Sequence, residues 1–197
     1  MNSIDLFTMR RSRYVLENKL PISDKELETL IGKVLAQAPS AFNVQSARVV
    51  LLLGEKHKAL WQITRKALRA IVPADKFAPT DEKIKSFEAA HGTILYFDDT
   101  LATRALQEQY PAYAENFPVW AQQANGMLQF AVWTALAEAG IGASLQHYNP
   151  LIDEVVKTKF SLPNSWQLIA QMPFGTAVGK DLEKTYLPLS ERLRIEK

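Results

Sequence analysis

Between Pro118 and Ala139 the chain carries Val119, Trp120, Met127, Leu128, Phe130, Val132, Trp133 and Leu136, and Gly140 follows. Proline is tolerated in a first helical turn and glycine is common just past a helix end, so this spacing predicts one long helix. Its apolar residues nearly encircle it. Such a helix needs cover on most faces, from a core or from a second subunit. It is not a membrane span, because Gln122, Gln123, Asn125, Gln129 and Glu138 break the apolar run from Val119 to Leu145 well short of roughly 18–20 uninterrupted residues.

The rest of the fold must supply that cover. Ser23-Asp24-Lys25-Glu26 is a capping box, and Leu27, Leu30, Ile31, Val34 and Leu35 continue at helical spacing. Leu60, Ile63, Ala67, Leu68 and Ile71 predict a second amphipathic helix, and Thr80 to Ala90 a third. Arg48 to Leu53, Thr93 to Phe97 and Trp166 to Phe174 are short apolar runs that read as strands. Asn149-Pro150 reads as a cap and first residue of another helix. The tail from Lys180 to Lys197 is charged, shows no packing face and is free to wrap a neighbour. No repeat or linker interrupts the chain, and its 197 residues suit a single domain, residues 1–197, of α+β class with helices around a central sheet.

Composition narrows the chemistry. The chain has no cysteine, which removes disulfides, thiol nucleophiles, iron–sulfur clusters and cysteine-ligated zinc. His57, His91 and His147 show no metal-ligand spacing, so no metal is expected. Lys and Arg number 23 against 21 Asp and Glu, an excess too small for a generic nucleic-acid or anionic-membrane binder. Met1 to Met9 has no basic and apolar leader pattern, so a cytoplasmic location is expected. With so few catalytic side chains, an enzyme built this way would leave the hard chemistry to something it binds.

Three segments could hold such a group. Arg10-Arg11-Ser12-Arg13 is the densest positive charge and suits a phosphate, and alone it reads first as a solvated basic turn. Ala38 to Ser46 (APSAFNVQS) offers the Asn43 and Gln45 carboxamides, which can read hydroxyls or a pyrimidine edge; an ordinary Asx turn is the competing reading. Gly140 to His147 (GIGASLQH) lacks the third glycine of a dinucleotide fingerprint, and no Walker-type motif occurs. It could run extended beside a flat ligand with its amides free to donate.

In this order and spacing, RRSR, APSAFNVQS, the long helix and GIGASLQHYNP resemble the nitroreductase family of FMN-dependent oxidoreductases, over essentially the whole chain. FPVWAQQANGM (Phe117 to Met127) and Gly140 to Pro150 are similar to a small fungal and bacterial subgroup. The resemblance implies an α/β sandwich with a central, mainly antiparallel sheet, assembled as a homodimer. It implies FMN as cofactor and NAD(P)H as electron donor, with nitroaromatics or quinones reduced by ping-pong hydride transfer through flavin N5. Arg10, Arg11, Ser12 and Arg13 would hold the FMN phosphate and ribityl region, with Lys184 or Arg192 completing it. Pro39, Ser40, Asn43 and Gln45 would reach the flavin from the other subunit, Leu145, Gln146 and His147 would lie near N5, and Lys85 near N1 and O2. Tyr113, Phe117, Trp120 and Tyr148 would wall the acceptor site, unless they are core aromatics. The chain departs from the family at Gln45-Ser46-Ala47, where many members have Gln-Pro-Trp, and at Tyr186-Leu187-Pro188, where a cation is expected. The alternatives to an oxidoreductase are a flavin-binding sensor with little turnover and a plain interaction domain for an anionic partner.

Overall fold

A computed structural model describes residues 2–179 and 183–197. The first five elements are α1 (Ser3–Met9), β1 (Leu16–Glu17), α2 (Asp24–Gln37), β2 (Ala47–Leu53) and α3 (Gly54–Arg69). They are followed by α4 (Phe77–Glu88), β3 (Gly92–Asp99), α5 (Thr100–Gln109), α6 (Asn116–Glu138), β4 (Gly142–Ala143), α7 (Asp153–Phe160) and β5 (Trp166–Ala177). The strands order β1-β5-β3-β2, with β4 also on β5, and every named pairing is antiparallel.

β3 explains why Thr93 to Phe97 shows no polar alternation: it lies mid-sheet and is buried on both faces. Ile94 and Tyr96 enter one core with Leu27 and Ile31 of α2 and Leu128, Val132 and Leu136 of α6. Leu95 and Phe97 enter the other with Leu60 and Trp61 of α3, Ile84 and Phe87 of α4 and Val156 of α7. The result is a sheet with helices on both faces. The capping box at Ser23 is present as predicted, Ser23 Oγ accepting the Glu26 N–H at 3.2 Å and Ser23 holding the Glu26 carboxyl below its ordinary range.

α6 begins at Asn116, so Pro118 sits in its first turn, and Gly140 ends it at φ 74°. Its buried polar residues have a use that periodicity does not reveal. β3 is bulged between Tyr96 and Phe97, and Asn125 Nδ2 donates to the Phe97 carbonyl at 3.0 Å while Gln129 Nε2 donates to Asn125 Oδ1 at 2.7 Å. On its outer side α6 leaves Val119, Met127 and Phe130 exposed, and Phe7 of α1 packs on Phe130 at 5.1 Å.

One expectation is corrected. Asn149 caps no helix: its Oδ1 has no partner among the described residues, the Asn149–Pro150 bond is cis, and α7 starts at Asp153. Along residues 183–197, Tyr186, Leu187, Leu189, Leu193 and Ile195 are all exposed. Lys180, Asp181 and Leu182, the start of that predicted tail, lie outside the described residues.

Candidate functional site

After α1 the RRSR segment runs extended and joins the segment that follows α6. Ser12 forms a parallel bridge with Ala143, and the Arg13 N–H donates to the Ala143 carbonyl at 2.8 Å. Two motifs 130 positions apart in the chain (13 to 143) are thereby neighbours. Gly142 lets the second of these segments lie close against β5 and β1, because a Cβ there would stand 2.7 Å from Ala177 Cβ and 3.1 Å from Leu16 Cδ2.

The Arg10 guanidinium lies over the Trp133 ring, 4.4 Å from its centre. Burial, with Arg11 adding to it, lowers the Arg10 pKa from its ordinary value, and Arg10 Nε is buried with no partner among the described residues. Arg11 and Arg13 line a cavity of about 430 Å³ with Trp133, Ala137 and Gly140–Gly142. The Arg10 Nε donor, buried without an acceptor among the described residues, and a concavity lined by Arg11 and Arg13 are chemically suited to a phosphate.

Beyond Ala143 the chain runs along β5 like an edge strand. Ser144 and Gln146 give their N–H groups to the carbonyls of Pro173 and Gln171 at 3.2 and 2.7 Å, and Tyr148 N–H goes to Gln171 Oε1 at 2.7 Å. Alternate residues of an extended chain present their amides to opposite sides. Leu145 and His147 therefore turn theirs away from β5, to the side on which Ala143 receives Arg13. Of the three residues assigned to flavin N5, Gln146 has its amide used inside the sheet and its Nε2 on Ser144 Oγ at 3.1 Å. The amides of Leu145 and His147 face outward.

The APSAFNVQS loop lies elsewhere. Pro39, Ser40 and Gln45 line a second cavity of about 390 Å³ with Arg48, Ala124, Leu128 and Trp166. Trp133 follows Ala124 by nine residues, as Ala137 follows Leu128, and at roughly 100° per residue that puts the two cavities on opposite flanks of α6. The loop backbone is unusual. Phe42, Asn43 and Gln45 have φ of 54°, 51° and 49°, and such left-handed residues other than glycine cost about 1–3 kcal/mol each. Ser40 Oγ accepts the Gln45 N–H at 3.0 Å, and Arg48 Nη1 donates to the Gln45 carbonyl at 2.6 Å.

Tyr113, Phe117 and Trp120 gather with Tyr110 around Phe42, whose ring stacks on Trp120 at 6.3 Å and 18°. Phe117 is buried within this cluster, while Phe42 and Trp120 open onto a shallow concavity with Gln123 and Met127. Tyr148 does not join them: it packs edge-on to Trp61 in the second core, where burial pushes its hydroxyl up to about 12. Lys85 lines neither cavity and is paired to Asp81 at 2.6 Å on α4. Lys184 lies over Tyr186, and it and Arg192 belong to the exposed segment 183–197. Among the described residues no group of three or more His, Asp or Glu converges as a metal site.

Phe42, Arg48 and Trp133 also line these cavities, Asp99 pairs with Arg48 and Gln171 holds the Tyr148 N–H, and none of the five was assigned from the sequence. Only Phe42 carried a signal, as the one large apolar residue in a polar loop.

Known proteins are similar to this chain in fold and sequence. Nitroreductase CinD from Lactococcus lactis, solved with chloramphenicol, superposes with a TM-score of 0.92 at 39% identity, each chain covered completely. The same protein solved with 4-nitrophenol gives 0.91 at 38% identity and complete coverage. In Saccharomyces cerevisiae, HBN1 is 36% identical over 91% of this chain and 90% of its own length. The yeast nitroreductase FRM2 is 32% identical over 94% and 93%. A family model described as the nitroreductase family matches residues 7–176, and the chain belongs to that family of flavin-dependent oxidoreductases.

Proposed function

We propose that this chain is an FMN-dependent NAD(P)H oxidoreductase that reduces nitroaromatics or quinones by a ping-pong cycle, as a cytoplasmic homodimer. The observation that carries the reading is the pairing of Ser12 and Arg13 with Ala143, beside a cavity lined by Arg11, Arg13 and Gly140–Gly142. When bound, FMN would supply the hydride chemistry between NAD(P)H and an electron-poor acceptor.

The chain's own task is positioning. Arg10, Arg11 and Arg13 with Ser12 would hold the phosphate, and their charge suits one such group. The amides of Leu145 or His147 would donate a hydrogen bond to the ring edge, fixed in direction before the ligand arrives. The Asn43 and Gln45 carboxamides would meet the ring from the partner subunit. Support for two chains comes from α6: its opposite flanks carry the basic cavity and the loop cavity, so one ligand touching both motifs needs both copies. The exposed Val119, Met127 and Phe130 on α6 are apolar surface that a second copy would cover. Phe42 and Trp120 present ring faces on which a flat, electron-poor acceptor can stack. The CinD complexes with chloramphenicol and 4-nitrophenol favour nitroaromatic acceptors.

The test is the visible spectrum of the purified protein before and after anaerobic addition of NADPH or NADH. A flavin spectrum that bleaches within minutes and returns on adding a nitroaromatic is expected. A colourless protein that FMN cannot reconstitute overturns the cofactor, and bound flavin that stays oxidised overturns the reductase. Arg11→Ala should weaken FMN retention, and unchanged affinity would remove Arg11 from the phosphate site.

A further inference from the structure

The geometry points to Arg48 and Asp99 as a clamp that sets the backbone of the 38–46 loop, with Arg48 as a positioning residue for the Asn43 and Gln45 carboxamides. Its functional consequence rests on the reading that this loop touches the flavin.

The loop does not hold its shape by local preference. Asn tolerates the left-handed region, but Phe42 and Gln45 do not favour it and no glycine is present to relieve them. Such a backbone persists where its surroundings over-determine it. At Gln45 they do so from both sides. Ser40 Oγ takes its N–H at 3.0 Å, and Arg48 Nη1 donates to its carbonyl at 2.6 Å and to the Ala47 carbonyl at 3.1 Å.

The other arm of the guanidinium reaches Asp99 at the end of β3, Nη2 to Oδ2 at 2.9 Å. Asp99 is itself anchored twice. Its N–H donates to the Ser46 carbonyl at 2.8 Å, and its Oδ1 accepts the Leu101 N–H at 3.3 Å as the N-cap of α5. One side chain thus ties the loop exit to the junction of β3 and α5, using the two-armed planar fork that lysine lacks. The Asp99 side chain is 16% exposed and that of Arg48 32%, so the pair is less screened than a surface ion pair. Trp166 lies beneath Arg48, 6.0 Å from guanidinium to ring centre. These residues pin a loop that sequence reasoning assigns to ligand contact, and no residue of the clamp needs to touch the ligand.

The experiment compares wild-type protein with Arg48→Met, Arg48→Lys and Asp99→Asn. It reads hydrogen exchange of the 39–47 amides without FMN, and FMN affinity by fluorescence quenching. Arg48→Met is expected to speed exchange at Gln45 and to raise the FMN Kd by roughly tenfold, the loss expected of one charge-assisted hydrogen bond. Arg48→Lys keeps the charge and should recover less than half of that loss, because one ammonium cannot serve both acceptors. Asp99→Asn should speed Gln45 exchange in the same direction, and it carries the test if Arg48→Met does not fold. Unchanged Gln45 exchange in the folded variants overturns the clamp, as does full rescue of FMN affinity by Arg48→Lys. If wild-type protein binds no FMN, the flavin reading fails, and the exchange measurement alone then decides whether the clamp exists.

Discussion

Gln171→Met separates positioning from stability at the strand that faces outward beside the arginines. Gln171 is fully buried, its Oε1 accepts the Tyr148 N–H at 2.7 Å, and its Nε2 has no partner among the described residues. Losing Oε1 leaves the Tyr148 amide unpaired, a cost of roughly 1–3 kcal/mol. Losing Nε2 removes a buried donor that makes no bond, a relief of similar size, about 1–3 kcal/mol. Methionine is close to glutamine in volume and adapts to its surroundings, so neither a cavity nor overpacking adds much. The net change in unfolding free energy should lie within about 1.5 kcal/mol, or a few degrees in Tm. The backbone from Leu145 to Tyr148 nevertheless loses one of its ties to β5, and FMN should bind several-fold more weakly. Urea unfolding of the apoprotein and FMN titration measure the two quantities. A loss above about 3 kcal/mol would show that Nε2 is satisfied after all. Wild-type stability together with wild-type FMN affinity would refute the positioning role.

Gly175→Ala should destabilise the fold by roughly 1–3 kcal/mol or more. Its Cβ would fall 2.3 Å from the Glu17 carbonyl oxygen and 3.2 Å from the His91 nitrogen, both backbone; a wild-type melting curve would contradict this. His57 is buried between Thr93 Oγ1 and the Glu88 carbonyl, and burial lowers its pKa from 6.5 to about 4. Between those values the unfolded chain binds more protons than the folded one. Stability is therefore complete above about pH 6.5 and drains as the pH falls toward 4, by on the order of 3 kcal/mol; His57→Gln should flatten this window in denaturant titrations. Lys85→Ala should leave FMN affinity unchanged, since the ammonium is committed to Asp81 and lines neither cavity; a weakened affinity would restore Lys85 to the site. Trp120→Leu should raise KM for a nitroaromatic several-fold, the loss of about one aromatic contact, without changing the FMN Kd. An unchanged KM would return Trp120 to a packing role.

Several elements were legible because their determinants are local. The Ser23 capping box acts within one turn, and the periodicity of α2, α3 and α6 is set by neighbours three and four apart. β3 could be read as a strand because a central strand is apolar on both faces. β1 and β4 were not legible, since two-residue strands have no period to detect. The Asn149-Pro150 signal misled for a related reason. Cap rules weigh adjacent residues only, whereas the path there is held by Gln171 on Tyr148. Nothing in Ala41-Phe42-Asn43-Val44-Gln45 announces a left-handed backbone, because its anchors Arg48 and Asp99 are themselves 51 positions apart.

Residue chemistry and local spacing, taken alone, determined that this chain has one dominant apolar helix, no thiol chemistry, and arginines and carboxamides in place of a conventional catalytic set. Those properties belong to single residues or to neighbours along the chain. The tertiary structure decided that Arg13 meets Ala143, that the loop lies on the opposite flank of α6, that Gln146 faces inward, and that Lys85 and Tyr148 stand apart. Each of these depends on strand register and helix packing between segments tens of residues apart, which only the folded chain brings into contact.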